Sequence, residues 1–282
     1  MAEIHSTAIV RGDVTLADDV TVGPSCVLDG SLGPVTIGAG TTLIGNVYLQ
    51  GPITIGIGNT FYPFTCMGFA PQDFGFDPAR AGCGTTVGDH NVFRESCVIH
   101  RATTDEGPTT IGNHVYLMNH THAGHDCRIG DYVTMAGNAM LGGHVTVGER
   151  VTIGGNTAIH QFCRLGRGSM LSGGVSTTGD VPPFFLVSGF NFVGGPNLVG
   201  MRRQKFPSDS IEDVRWAYKV IYRRRLPPFA AVEVLRERAD RPIVAEYIEF
   251  IETSKRGLCL GHGLEKRPQV HADPHAAAVE AR

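Results

Sequence analysis

Residues 111–146 read IGNHVY LMNHTH AGHDCR IGDYVT MAGNAM LGGHVT, six sixes each led by an apolar residue. Continued to residue 171, the leading position is Ile111, Leu117, Ala123, Ile129, Met135, Leu141, Val147, Ile153, Ile159, Leu165 and Leu171. The second position is usually Gly or Ala, and the fifth is compact (Val115, Cys127, Val133, Ala139, Val145, Val151). An α-helix would carry residue i+6 about 240° round its axis, so a strict six cannot line one helical face. Strand alternation has no reason to place Gly at one phase of six. A coil of three flat faces, one hexad each, explains both: the leading residue points inward, and the small second residue is expected to turn the corner. Coils of about 18 residues then stack at the inter-strand spacing of about 4.8 Å. Hexapeptide repeats are the signature of parallel β-helices.

The pattern extends back through Leu16-Ala17, Val22-Gly23, Ile37-Gly38, Ile55-Gly56 and Val87-Gly88. Two polar interruptions, Cys66 to Thr85 and Arg101 to Thr110, read as loops projecting from the prism, a usual place for function. Beyond Asp180-Val-Pro-Pro183 the hexads stop. From Ser208, which with Ser210 is a candidate cap, Ile211, Val214, Tyr218 and Ile221 recur at helical spacing, and Pro227-Pro228 ends that helix. Two more helices are expected over about 229–239 and 243–255. The expected organisation is a β-helix domain over 1–190, a C-terminal helical domain over 191–260 that covers the end of the solenoid, and a disordered His-, Ala- and Pro-rich tail over 261–282.

Bulk properties exclude several classes. A net charge of -3 gives no basic field for nucleic acid. No run approaches the roughly 18 apolar residues of a transmembrane segment. The seven cysteines are scattered with no C-x-x-C pair, and Met1 to Val10 lacks a signal-peptide pattern, so reduced thiols and a cytoplasmic location are expected.

The histidines carry the chemistry. One coil after His125 comes Gly143, followed by His144, so the imidazole and a Gly backbone should meet on adjacent coils near one edge. That pairs a base with an oxyanion donor beside one reacting carbonyl. Asp126 is placed to orient the imidazole. His114, with no such companions, reads as a solvated side chain.

The segments His120-Thr-His-Ala-Gly-His-Asp-Cys127, Gly142-Gly-His-Val145, Ile159-His-Gln-Phe162 and Asp180-Val-Pro-Pro183 resemble the UDP-N-acetylglucosamine acyltransferases of the lipid A pathway. So do Pro71-Gln-Asp73, Arg94-Glu-Ser96, Ile99-His-Arg101 and Ala217-Tyr-Lys-Val-Ile-Tyr-Arg223, and the likeness runs over about residues 1–258. The resemblance implies a left-handed winding of the β-helix. It implies transfer of an (R)-3-hydroxyacyl chain from acyl carrier protein to the 3-hydroxyl of UDP-N-acetylglucosamine, by a homotrimer with sites at the subunit interfaces. In that assignment His125 is the general base, Asp126 holds its tautomer and the Gly143 N–H stabilises the oxyanion. Asp73 and His122 bind the sugar, His144 and Gln161 line the sugar and pantetheine region, and Gln72 and His160 are further substrate-binding residues. Asn197 and Arg203 reach the uridine diphosphate, and Gly173 and Met170 bound the acyl chain. A thioester is already activated, so the step asks for no metal and no cofactor beyond the carrier's own phosphopantetheine.

Three positions depart from the family pattern: Gly75 stands where a Lys is usual, Val199 where an acid is usual and Gln204 where an Arg is usual. They fall in the nucleotide region and leave open a 3-amino sugar as acceptor, which would give an amide. A different class, a zinc lyase using His120, His122 and His125, is the competing reading. A non-catalytic β-helix would have no need of a His-Asp pair beside Gly-His.

Overall fold

The computed structural model describes residues 1–261. The tail expected to be disordered lies outside the described residues, except that its first residue, Gly261, pairs in a short strand with Val193. From Glu3 to Thr177 the chain winds as a parallel β-solenoid. One stack of strands runs through Tyr116–Leu117, Thr134–Met135, Thr152–Ile153 and Met170–Leu171. A second runs through Thr109–Ile111, Arg128–Ile129, Thr146–Val147 and Arg164–Leu165. The third runs through His122–Ala123, Met140–Leu141, Ala158–Ile159 and Ser176–Thr177. Near the N-terminus, Ile9–Leu16 and Val27–Ile37 are long strands that bend through one corner and join the last two stacks.

The leading residues of the hexads fill the prism: all those from Ile111 to Leu171 are at most 3% exposed. The fifth-position residues from Val115 to Val151 are buried beside them. Truncating one such leucine, as in Leu141→Ala, would cost about 2–5 kcal/mol, because the coils above and below cannot collapse into the gap.

The corners differ from expectation. The residue that turns the chain is the fourth of each hexad: His114, His120, Asp126, Tyr132, Asn138, His144, Arg150, Asn156 and Phe162 all have φ between 55° and 64°. Side chains in that left-handed region project outward along the prism edges. The second position is small for another reason. A Cβ on Gly124 would lie 2.8 Å from the Gly143 nitrogen, and one on Gly148 would lie 2.6 Å from the Arg167 nitrogen. The next coil simply leaves no room.

Three edges follow from this register. The third stack leads into the edge carrying His125, Gly143 and Gln161. The first stack leads into the edge carrying Gly137, Gly155 and Gly173. The second leads into the edge carrying His114, Tyr132 and Arg150.

The two interruptions are insertions at the His125 edge. In a regular coil Asp131 Oδ1 accepts from the Asn113 amide, 18 residues away. Asn59 Oδ1 accepts from the Asn91 amide across 32 residues, and Asn91 Oδ1 from the Val115 amide across 24, so these two coils are lengthened. The extra residues leave between Cys66–Phe69 and Thr85–Val87, and between Val98–His100 and Thr109–Ile111. The fully buried Arg101 ties them down: its guanidinium donates to Gln50 Oε1, Gly68 O, Pro78 O and Arg80 O. Arg80 in turn makes a two-pronged ion pair with Asp105, at 2.6 and 2.7 Å.

An antiparallel hairpin, Phe185–Gly189 with Phe192–Pro196, leads into the helices. These are α1 (Leu198–Arg203), α2 (Ser208–Tyr218, continued by a π-helical turn over Lys219–Arg223), α3 (Pro228–Leu235) and α4 (Pro242–Glu252). The short α1 was not anticipated. Neither Ser208 nor Ser210 caps α2, which starts directly after Pro207 without a side-chain cap. The helices cover the last coil: Phe185 packs against the rings of Tyr218, Tyr222 and Tyr247, and Tyr247 Oη donates to Pro183 O at 2.8 Å. The buried Asp180 accepts from Arg164 and Ser254, which fastens the chain leaving α4 to the solenoid.

Candidate active site

The corner after Ala123 presents His125 at the third hexad position and Asp126 at the fourth, where φ is 58°. His125 Nδ1 lies 2.6 Å from Asp126 Oδ2. Both side chains are mostly withdrawn from solvent, Asp126 to 7% exposure. Burial by itself would raise the Asp126 pKa. Hydrogen bonds from His125, Thr103 and Thr104 outweigh it and hold the carboxyl well below the usual carboxylate range. An ionised Asp126 is acceptor-only, so His125 Nδ1 carries the shared hydrogen and Nε2 is left as the free base nitrogen.

Gly143 lies on the coil above. A Cβ there would sit 2.6 Å from His125 Nε2 and Cε1, so only Gly fits against the imidazole. Gly143 is buried, its carbonyl accepts from Phe162, and among the described residues nothing accepts from its N–H. A basic nitrogen and an unspent amide donor thus share one corner, which can deprotonate an alcohol and receive the negative charge of an oxyanion. His144 stands at the fourth position of that coil. Its Nε2 is 3.6 Å from Asp126 Oδ2, its ring meets His125 edge-on at 5.0 Å, and it stacks on Phe162 at 4.4 Å. Gln161 completes the third-position column above Gly143.

The remaining candidates are more scattered. His122 faces out of the adjoining strand with its ring 5.3 Å from that of His100. Burial, helped by the nearby His100 and His125, pushes its pKa down to about 4, and burial likewise lowers that of His100. Gln72 and Asp73 lie on the exposed first insertion, where Asp73 Oδ1 accepts from the Gly75 amide at 2.8 Å. His160 Nδ1 lies 3.1 Å from both the Gln161 carbonyl oxygen and an Arg256 Nη2. Asn197 caps α1, accepting from the Gly200 amide, and its Nδ2 donates to Gly168 O, so much of its hydrogen-bonding capacity is spent within the fold. Arg203 is exposed in the last turn of α1. Gly173 and Met170 are exposed as well, but Gly173 belongs to the Gly137–Gly155 column. Within one chain it is on a different edge from His125.

Within one chain, His120, His122 and His125 do not form the zinc site of the competing reading. His120 sits at a left-handed corner beside Asn119 on the Gly137 edge, His122 on a flat face and His125 on the next edge, so the three do not converge. Among the described residues the metal-capable group that does converge is His125, Asp126 and His144, with one ligand atom of each within 4.8 Å of the others. Within it, the Asp126 carboxylate is already committed to His125 and the two threonines. Sequence reasoning assigned no role to Thr103, Thr104 and Thr109, although the polar insertion that interrupts the hexads was their signal. Phe162 also went unassigned, at one coil beyond His144.

Two family models match. One, described as Udp N-acetylglucosamine O-acyltransferase; Domain 2, covers 180–259, and a bacterial transferase hexapeptide (six repeats) model covers 108–143. The acyl-(acyl-carrier-protein)–UDP-N-acetylglucosamine O-acyltransferase of Thermodesulfovibrio yellowstonii is 39% identical over 262 residues, covering 92% of this chain and 100% of its own. The like-named protein of Halorhodospira halophila is 39% identical over 263 residues, at 92% and 99% coverage. Among solved structures, the UDP-N-acetylglucosamine O-acyltransferase of Moraxella catarrhalis superposes with a TM-score of 0.85 at 34% identity, covering 91% of this chain and 99% of that one. The Francisella novicida UDP-N-acetylglucosamine acyltransferase does so with a TM-score of 0.86 at 30% identity, at 95% and 100% coverage.

Proposed function

The chain belongs to the UDP-N-acetylglucosamine O-acyltransferase family, and from that premise we propose that it transfers an (R)-3-hydroxyacyl chain from acyl carrier protein to the 3-hydroxyl of UDP-N-acetylglucosamine, the first step of lipid A synthesis, with His125 as general base. The observation that carries this reading is the imidazole held between Asp126 and Gly143, with Nδ1 bound to the carboxylate and Nε2 facing the glycine. His125 Nε2 takes the hydroxyl proton as the sugar oxygen attacks the thioester carbonyl. The Gly143 N–H receives the tetrahedral oxyanion. Collapse breaks the carbon–sulfur bond, and the imidazolium returns its proton to the departing thiolate. Asp126 stays ionised throughout and stabilises the imidazolium. Holding both substrates in one cleft supplies much of the remaining acceleration.

His122 and Asp73 are assigned to the sugar, His144 and Gln161 to the sugar and pantetheine, Gln72 and His160 to further substrate binding, and Arg203 with the remaining capacity of Asn197 to the diphosphate. Gly173 and Met170 are assigned to the acyl chain. Residues that serve one substrate lie on different edges of the same chain, and this supports a homotrimer in which neighbouring prisms complete each site. Among the described residues no helix is long and apolar enough to cross a membrane, which suits an enzyme acting in the cytoplasm.

The test is purified protein with UDP-N-acetylglucosamine and a panel of 3-hydroxyacyl carrier proteins, read by mass spectrometry. An ester product that disappears in a folded His125→Gln variant is the expected result. Full turnover by that variant would overturn the base assignment, and transfer only to a 3-amino sugar, giving an amide, would overturn the acceptor.

A further inference from the structure

With His125 as the base, the second insertion, 101–108, has no task in the chemistry, yet it supplies most of the donors around Asp126. Asp126 Oδ1 accepts from the Thr103 amide at 3.1 Å, the Thr104 amide at 3.2 Å and the Thr104 hydroxyl at 3.0 Å. Oδ2 accepts from the Thr103 hydroxyl at 2.6 Å and, at 3.2 Å, shares the Thr103 amide. At the far end of the insertion the Asp126 amide donates to Thr109 Oγ1 at 2.8 Å. The insertion is itself fixed, by the buried Arg101 at its start and by the Asp105–Arg80 pair at its tip.

This cage resolves a competition. Two imidazoles address the same carboxylate oxygen: His125 Nδ1 at 2.6 Å and His144 Nε2 at 3.6 Å. Rotation about the Cβ–Cγ bond of an aspartate is soft and roughly two-fold, so an uncaged carboxylate would divide its oxygens between the two rings. A buried carboxylate deprived of donors would also be driven toward its neutral form and lose its hold on either ring.

We propose that Thr103 and Thr104 are positioning residues for acyl transfer: they fix the rotation of the Asp126 carboxylate so that Oδ2 serves His125 Nδ1 rather than His144 Nε2, and the insertion thereby selects which histidine is the base. The inference rests on the assignment of His125 above and concerns what makes that residue, rather than its neighbour, competent. It follows the general rule that groups behind a catalytic imidazole set its tautomer and aim.

The experiment compares Thr103→Val/Thr104→Val with Thr103→Ser/Thr104→Ser, each in the native chain and in an Asp126→Asn background, using steady-state kinetics on intact protein. Valine keeps the threonine shape and removes the hydroxyl; serine keeps the hydroxyl. The double valine variant should lose about 10- to 100-fold in kcat with KM for both substrates within about two-fold. The double serine variant should recover most of that loss. In the Asp126→Asn background the valines should cost nothing further, because the carboxylate they aim is gone. Native turnover by the valine variant would overturn the proposal, as would an undiminished additional loss in the Asp126→Asn background, which would mean that the threonines merely brace the loop. If the double valine variant does not fold, Thr103→Val alone carries the same comparison. Controls separate the two levels of inference. Full activity in both His125→Gln and Asp126→Asn would remove the base assignment itself. Impaired controls beside an unimpaired valine variant would remove only the role of the insertion.

Discussion

On the His114 edge the rings of His90 and His114 lie 5.3 Å apart and nearly parallel, His114 stacks on Tyr132 at 4.9 Å, and Arg150 covers Tyr132 at 4.4 Å. On the His125 edge, His144 and Phe162 form a similar stack at the same fourth position. The resemblance ends one residue earlier in the hexad. There the His114 edge has Asn113, whose Oδ1 accepts from the Asp89 amide and whose Nδ2 donates to Asp131 Oδ1, while the other has His125 between a caged carboxylate and a glycine. Both edges expose imidazoles, but only one sets an imidazole against an ionised partner and an unspent amide. On the proposed reading, what stands directly behind and above a histidine of this prism makes it the base.

The largest effect that could break this contrast is loss of the base. His125→Gln should lower kcat by about 10²- to 10⁴-fold while the protein stays folded, measured by turnover beside circular dichroism. Equal turnover would erase the distinction between the edges. Next comes Gly143→Ala, whose methyl would enter the space of the imidazole. It should cost about 10²-fold in kcat, comparable to removal of one oxyanion donor, and Gly155→Ala at the equivalent place on another edge should cost far less.

A third test uses pH. Burial lowers the His122 pKa from 6.5 to about 4, so in that interval the unfolded chain binds a proton that the folded protein resists. Stability should therefore be complete above pH 6.5 and fall as pH drops toward 4. Replacing His122 by Asn should flatten the thermal unfolding midpoint over that window, with buried His100 supplying part of the residual slope. The Asp126 carboxylate acts further down: its lowered pKa contributes stability that is present above its unfolded value near 3.8 and is lost as pH falls through the folded one. The smallest effect is expected at the opposite edge, where His114→Ala should change turnover less than two-fold and stability by about 0.5 kcal/mol, the range for exposed positions.

Much of the fold was legible because it is a local period. Leading residues such as Leu141 and Ile153 are buried wherever the hexad count places them, since a coil of three equal faces returns every sixth residue to the interior. The adjacency of His125 and Gly143 was legible by the same count. The corner chemistry was less so. Gly at the second position suggested a turn, whereas the turn is made at the fourth position by residues as bulky as Tyr132, Arg150 and Phe162, because the stacked ladder of backbone hydrogen bonds imposes the left-handed conformation on whatever stands there. The role of Asn197 as the cap of α1 could have been read from its place before Leu198.

Taken alone, the chain's order of residues determines a six-residue rhythm, hence a prism with an apolar interior, two breaks in that rhythm at one phase, and a helical cover. It does so because inward and outward directions repeat with the backbone geometry itself. How the two interrupting loops run, and that one of them folds back to grip Asp126, were decided only in three dimensions. Those arrangements depend on insertions whose path is set by a buried arginine and a few oxygen-bound hydrogens, and no periodicity encodes them.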